Sequence, residues 1–335
     1  MNKNIYINSI KQISAQPPLT DEWFDNPVFY NEQYIRATDA DYKQYFSPLE
    51  ARRLGKILKR ALLTSREAMQ ESGVQNPDAI ITGTGLGCIE NTEIFLDKLV
   101  REGEELLNPT HFMNSTHNTI SSLVAIDAKC HGYNSTYAHK GISFECALQD
   151  AFLQMQSGKI GTALVGAHDE MTPAYFTLLK KAGYLGVENQ VFAGETALAM
   201  MLSTEKTEKS LCKIENVEKF YGDISQYAIR DTQIDHIMVG VNGNAATDKI
   251  YYENCKKLFP NIPLLQYKNI FGESYTAPAF GVYAAALCLK KEKIPNQLRI
   301  KNYELRIEEK KTNKILIYNH FENKNHTFVL LSHNF

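Results

Sequence analysis

Residues 132–173 have the composition and order of a strand-to-helix turn that could present a nucleophile. The run NSTYAHK has an extended pattern, Gly141 interrupts it, and SFECALQDAFLQMQSGK then places apolar residues at helical spacing up to Gly158. A nucleophilic enzyme needs Ser or Cys at the apex of such a turn, where the helix N-terminus stabilises developing negative charge. The predicted apex is Gly141, which offers no nucleophile.

Three neighbouring side chains are alternative reactive groups. Ser143 would serve a Ser-His-Asp hydrolase, but HKGISFE is not GxSxG and Ser143 is predicted to lie inside the helix. Cys146 is an alternative nucleophile if the apex is misplaced, although it lies more than one helical turn beyond Gly141. His139 precedes the predicted apex by two residues and is the histidine best placed to assist.

Two further patterns resemble binding sites and favour structural roles instead. The segment GTGLGCIENTE is GxGxG rather than GxGxxG and lacks the distant acidic residue of a dinucleotide fold, so it indicates close backbone packing. No cofactor is therefore predicted. Five histidines crowd the middle of the chain without a metal-ligand spacing, and we predict separate structural roles and no metal for them. They are His111, His117, His131, His139 and His168.

Composition indicates a globular chain whose net charge does not predict binding to nucleic acid or to anionic membranes. Of 335 residues, 44% are hydrophobic and 22% charged, and the formal net charge is -2. The first residues lack the apolar core of a signal peptide, and no apolar run of about 18 residues predicts a membrane span. We expect a cytoplasmic protein. Its six scattered cysteines favour free thiols over disulfides or zinc.

The elements that must position these residues alternate between strands and amphipathic helices, which predicts α/β architecture. SPLEARRLGKILKRALLTSREAMQESG is predicted as one helix opened by a capping box of Ser47 and Glu50. The polar run 203–210 indicates a linker, and KILIYNHFENKNHTFVLLS a terminal hairpin. Two successive units of related order predict an internal duplication, divided into residues 1–205 and 206–335.

Several motifs together resemble one enzyme family along nearly the whole chain. ITGTGLGCIENTEIFLDKL, NPTHFMNSTHNTISSLVAIDAKCHGYNSTY, GKIGTALVGAHDEMTP and FAGETALAMML occur in the order and spacing of the β-ketoacyl-acyl carrier protein synthases of the thiolase superfamily. The resemblance implies a thiolase-like fold, a duplicated five-layer α-β-α-β-α arrangement with a shortened C-terminal half.

The family uses a Cys, two His, a Lys and a Gly-rich loop, and the matching positions depart from this set together. The resemblance places Gly141 at the nucleophile and Asn242, in VNGNAATD, at the first histidine. In KNIFGESYTAPAFG it places Lys268 at the lysine and Glu273 at the second histidine. The closing loop corresponds to NHFENKN near Phe321, which lacks the glycines. A carboxylate at 273 would repel the enolate that a His donor stabilises.

The resemblance is closest to chain-length factors, which are inactive partners of ketosynthases, and to such homologues from aryl-polyene and flexirubin-type pigment clusters. It implies polyketide or fatty acid biosynthesis, contact with acyl carrier protein, and a heterodimer with a catalytic ketosynthase, or a homodimer, through the strand STYAHK. Tyr137, His139, Phe144 and Phe321 are candidates for the acyl tunnel or dimer contact. The alternative is an active 3-oxoacyl synthase or acyltransferase that uses Cys146, so enzymatic activity stays open.

Overall fold

Ten strands form one mixed sheet in the computed structural model, which describes residues 3–105, 107–185, 190–224, 233–300 and 311–333. Five strands come from each half of the chain. In the first half they are β1 Ile5–Ile13, β2 Ala79–Gly83, β3 Tyr133–Tyr137, β4 Thr162–Asp169 and β5 Thr196–Ser203. In the second half they are β6 Cys212–Tyr221, β7 His236–Val239, β8 Leu264–Gln266, β9 Lys314–Phe321 and β10 Asn325–Ser332.

The strand order repeats itself between the halves. The sheet runs β3-β2-β4-β5-β1-β6-β10-β9-β7-β8. From its outer edge inwards, the first half reads β3, β2, β4, β5, β1, and the second half reads β8, β7, β9, β10, β6. In both halves these are the third, second, fourth, fifth and first strands in chain order. Antiparallel pairing of β1 with β6, from Ile5 opposite Ile214 to Ile7 opposite Cys212, joins the two halves. The predicted duplication is therefore confirmed, whereas the division at 205/206 stays a prediction because the sheet is continuous.

Ten α-helices of the described residues cover the strands. They are α1 Pro48–Arg53, α2 Lys56–Ser72, α3 Ile89–Glu102, α4 Pro109–Ser115, α5 Thr119–Asp127, α6 Ser143–Gln156, α7 Pro173–Lys181, α8 Ala245–Leu258, α9 Lys268–Phe271 and α10 Pro278–Lys291.

The alternation of side chains along the strands shows five layers. In β4, Ala163 and Val165 pack with α6 and α10 in a central core, whereas Leu164 packs outward against α2 and α5. In β9, Ile317 shares that central core, and the neighbouring Leu316 packs outward with α8. The two halves of the sheet thus lie on either side of the central helices α6 and α10, and further helices cover their outer faces. This gives five layers, helix, sheet, helix, sheet and helix, as expected for the thiolase-like arrangement.

A local signal identified the start of the first helix but missed a break within the predicted helix. The Ser47 hydroxyl accepts from the Glu50 amide and the Glu50 carboxylate accepts from the Ser47 amide, which confirms the capping box. The single helix predicted from it is wrong, because Leu54 is extended and Gly55 caps a second helix. The predicted terminal hairpin is confirmed by the antiparallel pairing of β9 with β10.

Among the described residues, no helix combines the length and apolar character needed to cross a membrane. The same residues contain no cluster of three or more His, Cys, Asp or Glu side chains arranged to hold a metal ion. The free thiols expected from the sequence are present at all six cysteines.

Candidate functional site

The turn between β3 and α6 differs in detail from the predicted apex. Strand β3 ends at Tyr137, a 3₁₀ turn spans Lys140–Ile142, and α6 begins at Ser143. Lys140, with φ of 52°, adopts the left-handed conformation. The Ser143 hydroxyl accepts from the His139 amide at 2.8 Å and donates to the Lys140 carbonyl at 2.7 Å. It therefore closes the turn, and the Ser-His-Asp interpretation gains no support.

Gly141 lies against the ring of Phe321, at the end of β9. A Cβ atom built on Gly141 would lie 2.5 Å from Cδ2 of Phe321 and 3.0 Å from its Cγ, far inside van der Waals contact. The side chain of Asn319 also donates to the Gly141 carbonyl at 3.0 Å. The ring of Phe321 thus fills the space into which a nucleophilic side chain at 141 would project.

Gly141 and Phe321 line a cavity of about 220 Å³ between the two halves. Its wall also carries the other three positions that the resemblance singled out, Asn242, Lys268 and Glu273. Apolar and aromatic side chains supply much of the rest, including Met171, Leu179, Tyr184, Leu185, Ile250, Tyr251, Tyr275 and Pro278. The structure therefore brings together five site residues that are up to 180 positions apart in the sequence.

Asn242, Lys268 and Glu273 bind one another in a single polar network. Glu273 Oε2 accepts from Lys268 Nζ and from Asn242 Nδ2, each at 2.7 Å. Both charged side chains are largely buried, with 7% and 16% of Lys268 and Glu273 exposed. Asp248, in the first turn of α8, accepts from the Asn242 and Gly243 amides and fixes the loop. Lys268 and Asn242 therefore direct these hydrogen bonds at a carboxylate of the protein itself.

A second carboxylate, Glu145, lies fully buried behind Gly141. Its Oε1 accepts from Asn319 Nδ2 at 2.7 Å and from Thr327 Oγ1 at 2.9 Å, whereas Oε2 has no partner in the described residues. Burial raises the pKa of Glu145 to about 7, against the lowering effect of these hydrogen bonds. The Tyr251 hydroxyl donates to Asn319 Oδ1 at 2.8 Å and extends the network.

Sequence reasoning missed Glu145, Asn319 and Tyr251. The only available signal was a glutamate on the apolar face of the helix SFECALQDAFLQM, a position that normally requires a partner. Its partners lie more than 170 residues away, in β9 and β10, so helical spacing could not identify them.

Cys146 is not among the residues that line the cavity. Its side chain is 3% exposed and burial raises the pKa of its thiol, while Lys219, whose Nζ lies 3.2 Å from Sγ, acts in the opposite direction. A thiol with a raised pKa forms little thiolate at neutral pH. Cys146 therefore has no access to the cavity, and burial outweighs the activating contact with Lys219.

The remaining candidates occupy three different environments. Phe144 is fully buried in the central core, and Tyr137 packs partly buried against it from β3. His139 is exposed, with its ring 5.9 Å from that of Tyr137. His168 is buried, and burial lowers its pKa to about 3, as expected for a neutral core histidine.

The glycine-rich segment after β2 encloses a carboxylate of the protein itself. Asp169 Oδ1 accepts from the Gly85 amide at 2.8 Å, the Leu86 amide at 2.9 Å and the Thr84 hydroxyl at 3.1 Å. A Cβ on Gly85 would lie 2.4 Å from the side chain of Tyr275. The prediction of close backbone packing in this segment is confirmed.

Comparison with solved structures finds the same fold over almost the entire chain. "The ishigamide ketosynthase/chain length factor" superposes with a TM-score of 0.81 at 15% identity, covering 99% of both chains. The ketosynthase ApeO in complex with its chain length factor ApeC from Xenorhabdus doucetiae superposes with a TM-score of 0.81 at 13% identity, with 98% of both chains covered. The AntDE:AntF complex, a type II ketosynthase with its acyl carrier protein, gives 0.76 at 12% identity and 99% coverage of both chains.

A search of curated protein sequences finds no significant match. The family model for the N-terminal domain of β-ketoacyl synthases, in contrast, matches residues 23–235, which is more than half of the chain. This match agrees with the thiolase-like layers and with the cavity at the end of β3. The chain belongs to the β-ketoacyl synthase family.

Proposed function

We propose that this protein is a noncatalytic, chain-length-factor-like subunit that pairs with an active ketosynthase. The observation that carries the proposal is the contact of Gly141 with Phe321. The nucleophile position lacks a side chain, and the ring of Phe321 occupies the space that an acyl thioester would need. Covalent catalysis requires an accessible and activated nucleophile.

The polar wall of the cavity supports the same conclusion. Condensation forms an enolate, which needs donors aimed at its developing negative charge. Here Lys268 Nζ and Asn242 Nδ2 both donate to Glu273 Oε2. The Glu273 carboxylate neutralises the charge of Lys268 and accepts hydrogen bonds from both side chains. The network therefore offers little stabilisation to a second anion such as an enolate.

The outer edge of the sheet supports a role in assembly. Strand β3 pairs only with β2 in the described sheet, and the exposed apolar side chains there include Tyr133 of β3 and Ile126 of α5, the helix that packs beside it. An unpaired strand edge with exposed apolar side chains is a template for another chain. Two of the similar structures are a ketosynthase/chain length factor and a ketosynthase in complex with its chain length factor.

Finer features of the proposal follow from the family resemblance. We place the subunit in polyketide or polyene biosynthesis, with acyl carrier protein as a further partner and the cytoplasm as its location. Tyr137, at the β3 edge, is the favoured candidate for limiting chain length. Phe144 is fully buried in the central core and does not line the cavity at Gly141.

Co-expression with a catalytic ketosynthase from the same organism tests the pairing. We expect the two chains to elute together from a sizing column at equimolar ratio, and we expect the pair alone to condense acyl-carrier substrates. Recovery of this chain separate from every co-expressed ketosynthase would contradict the proposal.

The second candidate is a divergent acyltransferase that uses Cys146. The contact with Lys219 at 3.2 Å favours it, because an ammonium group stabilises a thiolate. It predicts that Cys146→Ala abolishes turnover by the isolated chain while thermal stability is retained. The isosteric Cys146→Ser serves as the packing control.

A further inference from the structure

A second cavity lies at the ends of the parallel strands β2 and β4 and shares only Met171 with the cavity at Gly141. Its volume is about 240 Å³. Helix α3 follows β2 and residues 170–173 follow β4, and the carboxyl ends of parallel strands are a common place for ligands. The wall consists of Arg36, Lys56, Glu90, Glu93, Ile94, Glu170, Met171, Thr172, Pro173 and Glu195.

Two of the four carboxylates in this wall are already bound by the protein. Glu195 Oε2 accepts from the Arg60 guanidinium at 2.9 Å, and both Glu195 oxygens also accept backbone amides. Glu93 Oε1 accepts from the Thr172 hydroxyl. Glu195 is therefore fully occupied, whereas Glu93 keeps one oxygen for another donor.

Glu170 is the buried carboxylate with an open position. Its side chain lines the cavity and the residue is 4% exposed. Oε1 accepts from the Glu90 amide at 3.1 Å, whereas Oε2 has no hydrogen-bond partner in the described residues. Burial raises the pKa of Glu170 to about 7; the Glu90 amide and the charge of Arg60 oppose this shift, and the carboxylates of Glu90 and Glu195 add to it. A buried oxygen without a partner needs a donor, and a charged donor bonds it most strongly.

Two cationic side chains lie closer to the solvent. Arg36 is exposed and Lys56, the first residue of α2, is half-buried. Neither forms an ion pair in the part of the chain that the structure describes. A hydrogen bond with the Tyr34 hydroxyl raises the pKa of Arg36, so its charge is retained. The pKa of Asp39 is lowered, against the effect of its burial, by Arg60 and more weakly by Lys56.

The opposite charges of this cavity are thus separated by depth. A simple cation would satisfy Glu170 but would be repelled by Arg36 and Lys56 at the rim, and a simple anion would be repelled by the carboxylates. A small molecule that carries both charges matches both ends. Ile94, Met171 and Pro173 add apolar contact surface.

We propose that this cavity binds a free amino acid with an apolar side chain, with its ammonium group at Glu170 and its carboxylate at Arg36 and Lys56. Because the cavity carries none of the degenerate catalytic positions, binding there is independent of the proposed function.

Isothermal titration calorimetry of the full chain with three matched probes tests this charge pattern. The probes are L-leucine, 3-methylbutylamine, which is leucine without its carboxylate, and 4-methylpentanoate, which is leucine without its ammonium group. At pH 7.5 we expect leucine to bind at least about tenfold more tightly than either of the other two. Leucine that does not bind, or that binds no better than the amine or the acid, would overturn the inference.

Substitutions assign the two ends of the ligand. Glu170→Gln keeps the acceptor for the Glu90 amide and should remove the advantage of leucine over 4-methylpentanoate, whereas Arg36→Gln should reduce its advantage over the amine. Glu102→Gln and Arg52→Gln change exposed side chains of α3 and α1 and serve as matched controls without effect. Thermal denaturation checks that each variant is folded. Leucine affinity that is unchanged in folded Glu170→Gln and Arg36→Gln would also overturn the inference.

The pH dependence of binding identifies Glu170 separately. The ammonium group binds the ionised carboxylate, whose pKa is about 7, and the charges of leucine itself do not change between pH 6 and pH 8. Affinity for leucine should therefore rise by about tenfold from pH 6 to pH 8 in the wild type and stay constant in Glu170→Gln. A wild-type affinity that is independent of pH would contradict binding at Glu170.

Discussion

At the scale of residues, the contact between Gly141 and Phe321 disfavours a side chain at the position that the family resemblance assigns to the nucleophile. We predict that Gly141→Ala lowers the free energy of unfolding by about 1–3 kcal/mol, because its methyl group enters the space of the ring. In the Phe321→Ala background the same change should be neutral or slightly stabilising, since alanine restricts the unfolded chain. Chemical denaturation of the four proteins measures this coupling. Equal effects of Gly141→Ala in both backgrounds would show that Phe321 does not fill the position.

Glu145 makes stability depend on pH in a direction set by its burial. Its pKa is raised from 4.5 to about 7, so the native state keeps a proton that the unfolded state has released between these values. Stability contributed by the protonated carboxyl is therefore lost as pH rises from about 5 to 8, by on the order of 3 kcal/mol.

Glu145→Gln keeps an oxygen acceptor for Asn319 and Thr327 and removes the ionisation. We expect the free energy of unfolding of Glu145→Gln, measured relative to that of the wild type, to be higher at pH 8 than at pH 5. Urea denaturation at both pH values measures it, and other buried carboxylates cancel in the comparison. A difference that is constant with pH would contradict the burial argument.

At the scale of elements, the loop after β2 depends on one carboxylate. Asp169→Ala would leave two buried amides and the Thr84 hydroxyl without their acceptor, and we predict a loss of about 3 kcal/mol or more. Asp97→Ala, which removes an exposed (i, i+4) partner of Arg101 on α3, should cost less than about 0.5 kcal/mol. Thermal or chemical denaturation distinguishes the two, and comparable losses would refute the structural role of Asp169.

Local patterns predicted elements well and their contacts poorly. The capping box at Ser47 and the terminal hairpin depend on residues close in sequence, so they could be predicted. The break at Gly55 was missed, because a single glycine within an otherwise helical pattern is compatible with a continuous helix. The partners of Glu145 and Asp169 come from distant strands or loops, and no periodicity encodes them.

At the scale of the whole molecule, duplication determines where the site lies. Both halves place their strands in the same order, and the cavity lies between the turn at Gly141 and the second-half residues Asn242, Lys268 and Phe321. The resemblance predicted these positions one by one. That Glu273 neutralises the lysine, and that Phe321 covers the glycine, required the structure.

Acyl transfer followed by intact-protein mass spectrometry tests the central claim most directly. The chain is incubated with labelled acyl-acyl carrier protein, first without and then with the co-expressed ketosynthase. We predict an acyl adduct on the ketosynthase only, and no change in mass for this chain under either condition. An adduct on this chain, at Cys146 or elsewhere, would contradict the account of a noncatalytic subunit.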